Sequence, residues 1–531
     1  MPELSFTLRS PSVGPIVGHT TSHSSRIWMR ASVEQTGRTV GVAALYDAED
    51  KYVENSACYL RLHRQYDRTG IVDFVRLQPD TVYSVRVGSL TLDSADSTAI
   101  LEDQVVFARL SKPEDWRGEL EKLPAENCLA KFTTFPLDAS NGLSFIFGSC
   151  RYPGLFWPAK KSDLIFGEIL KQCRAANAPR FVLMNGDQIY ADKLRRWIPL
   201  FRADTPAEFR ERYHTAFTSP NMRALLRAVP TYMILDDHEI EDDWTAARMD
   251  GNEKARTLYQ HAISAYKNYQ WIHSPRNYCP RDNLAGVSGD KFYYSFECGA
   301  YPFFVVDTRT QRIHNGNGCN PADNHLLGYP SDNTASEHRV QINILCDWLV
   351  LQQEQIGNRP KFIATASMFV PNGLATAGSD ARAQRKKCAD DAWAAFPETR
   401  RQLLQTMLDH NIQNVVFLCG DAHSSCVAEI SFSHATAGQL PLRALSITSS
   451  AFYWPWPFSD GDPDTYVHDS EKQNDPFAVN AEVVMNYKSR AFVQENNFTR
   501  IDIQQDAIVV QNFDRKGQLL GSPLELVLAP D

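Results

Sequence analysis

Apolar and polar positions alternate with a period of two through the first quarter of the chain. Ser25–Ser32, Val40–Tyr46, Val72–Leu77, Tyr83–Val87 and Ala130–Phe135 are short runs of this kind, set apart by polar or proline-bearing turns. That pattern predicts a small antiparallel β-sandwich over residues 1–137. Polar and glycine residues between Pro136 and Asn141 interrupt it, and from residue 142 to 531 the period changes. Helical spacing predicts helices over Lys161–Ala176, Pro206–Ala216, Asn252–Ile272, Ala335–Gln355 and Pro397–His410. The second is opened by Asp204 and Thr205, with proline in its first turn. Phe292–Thr308 and Phe498–Gln511 read as further β segments, so strands and helices interleave. This predicts a layered α/β domain with a mixed sheet over 142–531. Two long stretches, Thr310–Thr334 and Ser450–Asn480, carry neither period, and loops of that length are usually functional or mobile.

Composition narrows the classes. At 531 residues the chain exceeds one ordinary core, which fits two domains. A formal net charge of −9 with no basic cluster argues against nucleic acid as a partner. No apolar run approaches the roughly 18 residues a membrane span needs. The first residues show neither a signal pattern nor a twin arginine, and the 11 cysteines are scattered without a C-x-x-C pair. The expectation is a cytoplasmic chain with reduced thiols, or an exported one if a signal has been removed.

Four continuous apolar runs change the picture most, because each ends in metal-ligating residue types. Leu143–Gly148 leads to Cys150, Phe181–Met184 to Asp187, Val229–Leu235 to Asp236-Asp-His-Glu239, and Val415–Cys419 to Asp421 and His423. Charge at a buried strand end is costly unless compensated, and bound cations compensate it. Gly186 lets the chain turn so that Asp187 reaches outward. Asp421 and His423, two residues apart, share one side of an extended segment. The thiolate of Cys150 favours a softer or higher-valent ion, and the carboxylates favour calcium, magnesium or manganese. There is no G-x-S-x-G elbow, so the chemistry expected is attack by activated water rather than through a covalent intermediate.

In chain order, Gly148-Ser-Cys150, Gly186-Asp-Gln-Ile-Tyr-Ala-Asp192, Asp236-Asp-His-Glu239, Asp307-Thr-Arg309 and Gly420-Asp-Ala-His423 resemble the alkaline phosphatase D (PhoD-like) family of metallophosphoesterases. They look like a variant of the calcineurin-type pattern, with Asp237 where an asparagine is usual. The family also carries an N-terminal sandwich, and Leu77–Val85 with Lys131–Pro136 is similar to the closing strands of a fibronectin-type module, so the resemblance spans the chain. It implies a phosphomonoester or phosphodiester hydrolase with two or more metal ions, Fe3+ and Ca2+ foremost, and Mn2+, Mg2+ or Zn2+ as alternatives. Asp187 would bridge the ions, Asp237, Asp421 and His423 would complete the cluster, and Cys150 would ligate ferric iron. His238 would face the phosphate or protonate the leaving oxygen, and Arg309 would clamp phosphoryl oxygens. The family's iron-binding tyrosine aligns here with Phe217, leaving Tyr213 or Tyr190 as substitutes. The alternative reading is a non-catalytic protein that binds phosphorylated ligands on a degenerate phosphatase scaffold. The aromatic segment Phe452-Tyr-Trp-Pro-Trp-Pro-Phe458 either rims the substrate entrance or packs its own loop.

Overall fold

The computed structural model describes residues 6–32, 39–92, 110, 112–138, 142–154, 160–192, 201–278, 291–314, 324–329, 340–372, 391–434, 436, 438–455, 466–473, 475–504 and 506–530. At the N-terminus, a five-stranded antiparallel sheet (Phe6–Arg9, Thr39–Tyr46, Cys58–Arg61, Val82–Leu92, Leu129–Thr133) faces a three-stranded one (Val13–Thr20, Ser24–Arg30, Thr69–Val75). Inward residues of both, among them Ile27, Met29, Leu45, Phe74, Val85 and Phe132, form one buried cluster. The alternating pattern foresaw this sandwich. It did not foresee the helix Pro113–Lys122 before the last strand.

Two further sheets stack face to face. One runs Thr231–Met233, Val182–Met184, Leu143–Gly148, Asn497–Ile503, Ala507–Asp514, Leu519–Val527, its first three strands parallel and the rest antiparallel. The other is eight-stranded, and its central strands Tyr301–Val305, Lys361–Thr365, Val415–Cys419 and Gly438–Thr448 are parallel. Between the sheets lie Phe145, Phe147, Phe181, Leu183, Phe303, Phe362, Val416 and Leu418. Alternate residues of the same strands, such as Ile146, Val182 and Met233, point outward to the helices Lys160–Gln172, Pro206–Thr218 and Glu253–Tyr269. On the far side Val415 and Phe417 meet Gln341–Ile356 and Pro397–Asp409. Strands covered on both faces must be apolar throughout, which is why these runs lack alternation. The result is helices, two sheets, helices.

Local signals explain the helix ends. Thr205 and Glu208 form a reciprocal capping box with Pro206 in the first turn, and Asn252 caps Glu253–Tyr269 by accepting from Ala255 N–H. Of the helix expected over Ala335–Gln355, residues 335–339 lie outside the described residues, as do parts of both long loops.

The sandwich is bolted onto the helical face. Trp28 Nε1 donates to the Asn268 carbonyl at 2.9 Å, and Asp67 holds Arg30 at 2.8 Å while accepting from the Tyr269 hydroxyl. A Cβ on Gly18 would stand 2.4 Å from the His273 carbonyl oxygen. His273 is fully buried at this seam, and burial lowers its pKa to about 3. The unfolded chain takes up this proton below about 6.5 and the folded chain does not, so stability falls as pH drops from 6.5 towards 3. The limiting slope is about 1.4 kcal/mol per pH unit for one proton. Urea unfolding at pH 7 and pH 5 should show that loss, and His273→Gln should flatten it. Equal slopes in both proteins would remove His273 as its source.

Candidate metal centre

The loops that carry the expected residues leave the carboxyl ends of neighbouring strands in both sheets and meet above the inter-sheet core. Asn185 Nδ2 donates to the Leu418 carbonyl at 2.8 Å, and Ser149 Oγ accepts from Asp421 N–H at 3.1 Å, so the two sheets are tied where the site begins. Space is short. A Cβ at Gly186 would lie 2.6 Å from the Asp236 Cβ, and one at Gly420 would lie 2.4 Å from the Asn185 carbonyl oxygen. Cys150 (φ 57°), Asp187 (57°), Asp421 (67°) and His423 (49°) all sit in the left-handed region. Non-glycine residues hold that strain only where the surroundings over-determine them, and such positions gather at functional sites.

Four ligand groups converge: Cys150, Asp187 and His423; Asp187, Asp237 and His238; Asp187, Asp236, Asp237 and Asp421; and Asp237, Asp242 and Asp243. Within each, one donor atom per residue lies within 4.8 Å of the others. Asp187 belongs to three of the four. Burial pushes the Asp187 and Asp421 carboxyls well above the usual carboxylate range, with Asp236 and Asp237 adding to it. Burial, then Asp187 and Asp421, also drives the Cys150 thiol upward. For Asp237 burial works the same way, but Arg309 and His238 outweigh it and hold the group ionised. Asp187 Oδ1 and Asp236 Oδ2 are buried without a hydrogen-bond donor among the described residues. So many acids out of water must take up protons or cations, and the mixture of carboxylate, imidazole and thiol donors fits cations.

His238 is oriented by a residue to which the sequence reading gave no role. Its Nδ1 lies 2.7 Å from Asp192 Oδ1, while Asp192 Oδ2 accepts from Asp242 N–H at 2.6 Å. Burial disfavours the imidazolium, yet Asp192, Asp237 and Asp187 outweigh it and raise the pKa well above the ordinary value. Tyr190 stacks on the His238 ring with centroids 4.1 Å apart and donates to Asp187 Oδ2 at 3.1 Å. The phenol beside the cluster is therefore Tyr190. Tyr213 instead accepts from Gln270 Nε2 at 3.1 Å, and Phe217 packs in the helical core, its ring 5.7 Å from that of Tyr213. Both Tyr190 and Asp192 stand in the same motif as Asp187, and their proximity in sequence was the available signal.

Glu239 staples two of the loops together. Fully buried, it accepts from Asp187 N–H at 3.2 Å, Gln188 N–H at 2.8 Å, Ile189 N–H at 3.4 Å and Asp236 N–H at 2.9 Å, and from Gln270 Nε2 at 3.1 Å. Burial pushes its carboxyl up to about 7. Glu239→Ala strands these donors without water, which should cost about 3 kcal/mol or more in urea unfolding. Glu239→Gln keeps one acceptor oxygen and should cost less. Equal stability of Glu239→Ala and the parent chain would rule the staple out.

Arg309 was expected to clamp substrate. It is fully buried, and its guanidinium pairs with Asp236 and Asp391 and lies 3.4 Å from Asp237 Oδ1. Its own loop is shaped by Asp307, which accepts from Arg309 N–H and Thr310 N–H, each at 2.9 Å. In this arrangement the fork is engaged by the cluster's own acids.

Comparison with known proteins adds an independent line. The family described as PhoD-like phosphatase matches residues 161–510, more than half of the chain. Alkaline phosphatase D of Bacillus subtilis (strain 168) is 22% identical over 317 residues, a stretch spanning 57% of this chain and 50% of that protein. The solved structure titled "Structure of PhoD" superposes with a TM-score of 0.64 at 16% identity, covering 98% of this chain and 94% of that one. At that identity the likeness concerns the fold alone.

Proposed function

Because the chain belongs to the PhoD-like phosphatase family, we propose that it hydrolyses phosphoric esters with water activated by two or more cations held around Asp187. The observation that carries this reading is the sharing of Asp187 by three ligand groups. One oxygen-rich side chain touching several groups is what a bridged pair of ions requires. In this reading Asp237 and Asp421 complete the carboxylate group. Cys150 and His423 hold a softer or higher-valent ion, Fe3+ by family resemblance, with Ca2+ on the carboxylates and Mn2+, Mg2+ or Zn2+ as alternatives. Bound cations there supply a Lewis acid for the phosphoryl oxygens and lower the pKa of water towards 7.

The chain's own residues do the rest. Asp192 fixes the His238 ring through Nδ1, which leaves Nε2 to deliver a proton to the departing oxygen. Arg309 organises Asp236 and Asp237, a positioning role in place of a substrate clamp. Glu239 sets the distance between the Asp187 and Asp236 loops. Alkaline phosphatase D as a relative favours a phosphoester substrate, and hydrolysis of aryl phosphate mono- and diesters is the direct test. A scaffold that only binds phosphorylated ligands should turn over neither.

Tyr190 gives the iron assignment a spectroscopic handle. A phenolate on ferric iron absorbs visible light by charge transfer. Tyr190→Phe should bleach that band in the iron-loaded protein while Tyr213→Phe leaves it intact. A band that persists in Tyr190→Phe would place the phenolate elsewhere.

A further inference from the structure

The aromatic segment that follows Thr448 has a place in the site that no motif assigned to it. It runs beside the loop of Cys150. Phe452 N–H donates to the Ser149 carbonyl at 2.8 Å, Tyr453 N–H to the Cys150 carbonyl at 3.2 Å, and Tyr152 N–H to the Tyr453 carbonyl at 2.9 Å. Trp454 N–H is held by Asn496 Oδ1 at 2.6 Å. Anchored this way, the half-exposed Trp454 lays its indole on the imidazole of His423, with centroids 3.7 Å apart and planes 13° off parallel.

The contact continues as an arc of rings. Tyr152 meets Trp454 edge-on at 5.5 Å and Tyr190 edge-on at 5.1 Å, and Tyr190 reaches Asp187 through its hydroxyl. The arc therefore runs from His423 to Asp187, two members of the group they form with Cys150. A ring stacked on an imidazole blocks rotation out of plane but does not cover the in-plane nitrogen lone pairs through which an imidazole binds a ligand. An imidazole that donates to a cation also becomes electron-poor, and an indole face attracts positive charge. The stack is thus worth more in the loaded site than in the empty one.

We propose that Trp454 is a positioning residue that fixes the ring plane of His423 and so tightens the hold of the Cys150–Asp187–His423 group on its cation. The proposal rests on the metal reading above. Outer-shell partners of metal ligands typically contribute 10–100-fold to affinity.

Zn2+ is the probe, because it accepts thiolate, imidazole and carboxylate and is redox-silent. Titration of the stripped full-length protein against a competing chelator should show Trp454→Ala and Trp454→Leu weakened about 10–100-fold. Trp454→Phe, which keeps a π face, should stay close to the parent. Leucine fills space without stacking, so it separates the stack from packing even if the alanine variant does not fold. Among the ten tryptophans, Trp454 should also dominate the change in emission on loading, and that change should shrink in Trp454→Phe. Equal affinity of the leucine and phenylalanine variants would overturn the proposal. His423→Ala separates the two levels. If it binds Zn2+ like the parent, the metal reading of this group falls and takes the proposal with it. If it is weakened while Trp454→Leu is not, the metal reading stands and the role of Trp454 is lost.

Discussion

Asp187→Asn should lose turnover and metal together. Its side chain belongs to three ligand groups, so replacing the carboxylate by an amide removes charge from each of them at once. Asn is nearly isosteric and Gly186 still makes the turn, so the fold should persist. The remaining acids are no substitute. Asp236 is already engaged by Arg309, and Asp421 comes from the opposite sheet. Turnover should fall by more than about 10²-fold, the upper end for losing only an outer-shell partner, with at least one equivalent of metal missing on elemental analysis. Full metal content with parental turnover would show that Asp187 bridges nothing.

His238→Ala should separate chemistry from metal binding. Removing a general acid typically costs roughly 10²–10⁴ in rate, and esters with acidic leaving groups should recover part of it because they depart without a proton. The geometry supports this division, since Nδ1 is committed to Asp192. Asp192→Asn should give an intermediate loss that follows the same leaving-group trend. If His238→Ala arrives stripped of metal, its place in the group with Asp187 and Asp237 is that of a ligand.

Strand ends were the legible part of this molecule. A strand buried on both faces, as at Val415–Cys419 or Phe181–Met184, is apolar without a break, so the first charged residue marks the edge of the core. Cys150, Asp187, Asp237, Asp421 and His423 could be read that way, and the structure brings them together. Residues that act through a second contact were less legible. Tyr190 and Asp192 lie three and five positions beyond Asp187, yet only the folded loop shows that one phenol meets its carboxylate and the other acid turns to His238. Phe217, aligned with the family's iron-binding tyrosine, packs in the helical core beside Tyr213, a placement visible only once Pro206–Thr218 is folded. The resemblance implied a substrate-facing Arg309, and its partners Asp236 and Asp391 are distant in sequence. The strands Ser425–His434 and Val483–Val493, antiparallel to each other, drew no attention because they carry no chemistry of their own.

In the proposed reaction, turnover depends on cations at the Asp187 cluster. The most direct measurement strips the purified protein with chelator, verifies the loss by elemental analysis, and follows hydrolysis of an aryl phosphate monoester and diester before and after metal is restored. Turnover of at least one ester should disappear with the metal and return when iron and calcium are supplied. Undiminished turnover by the stripped protein, or none of either ester by the fully loaded one, would contradict it.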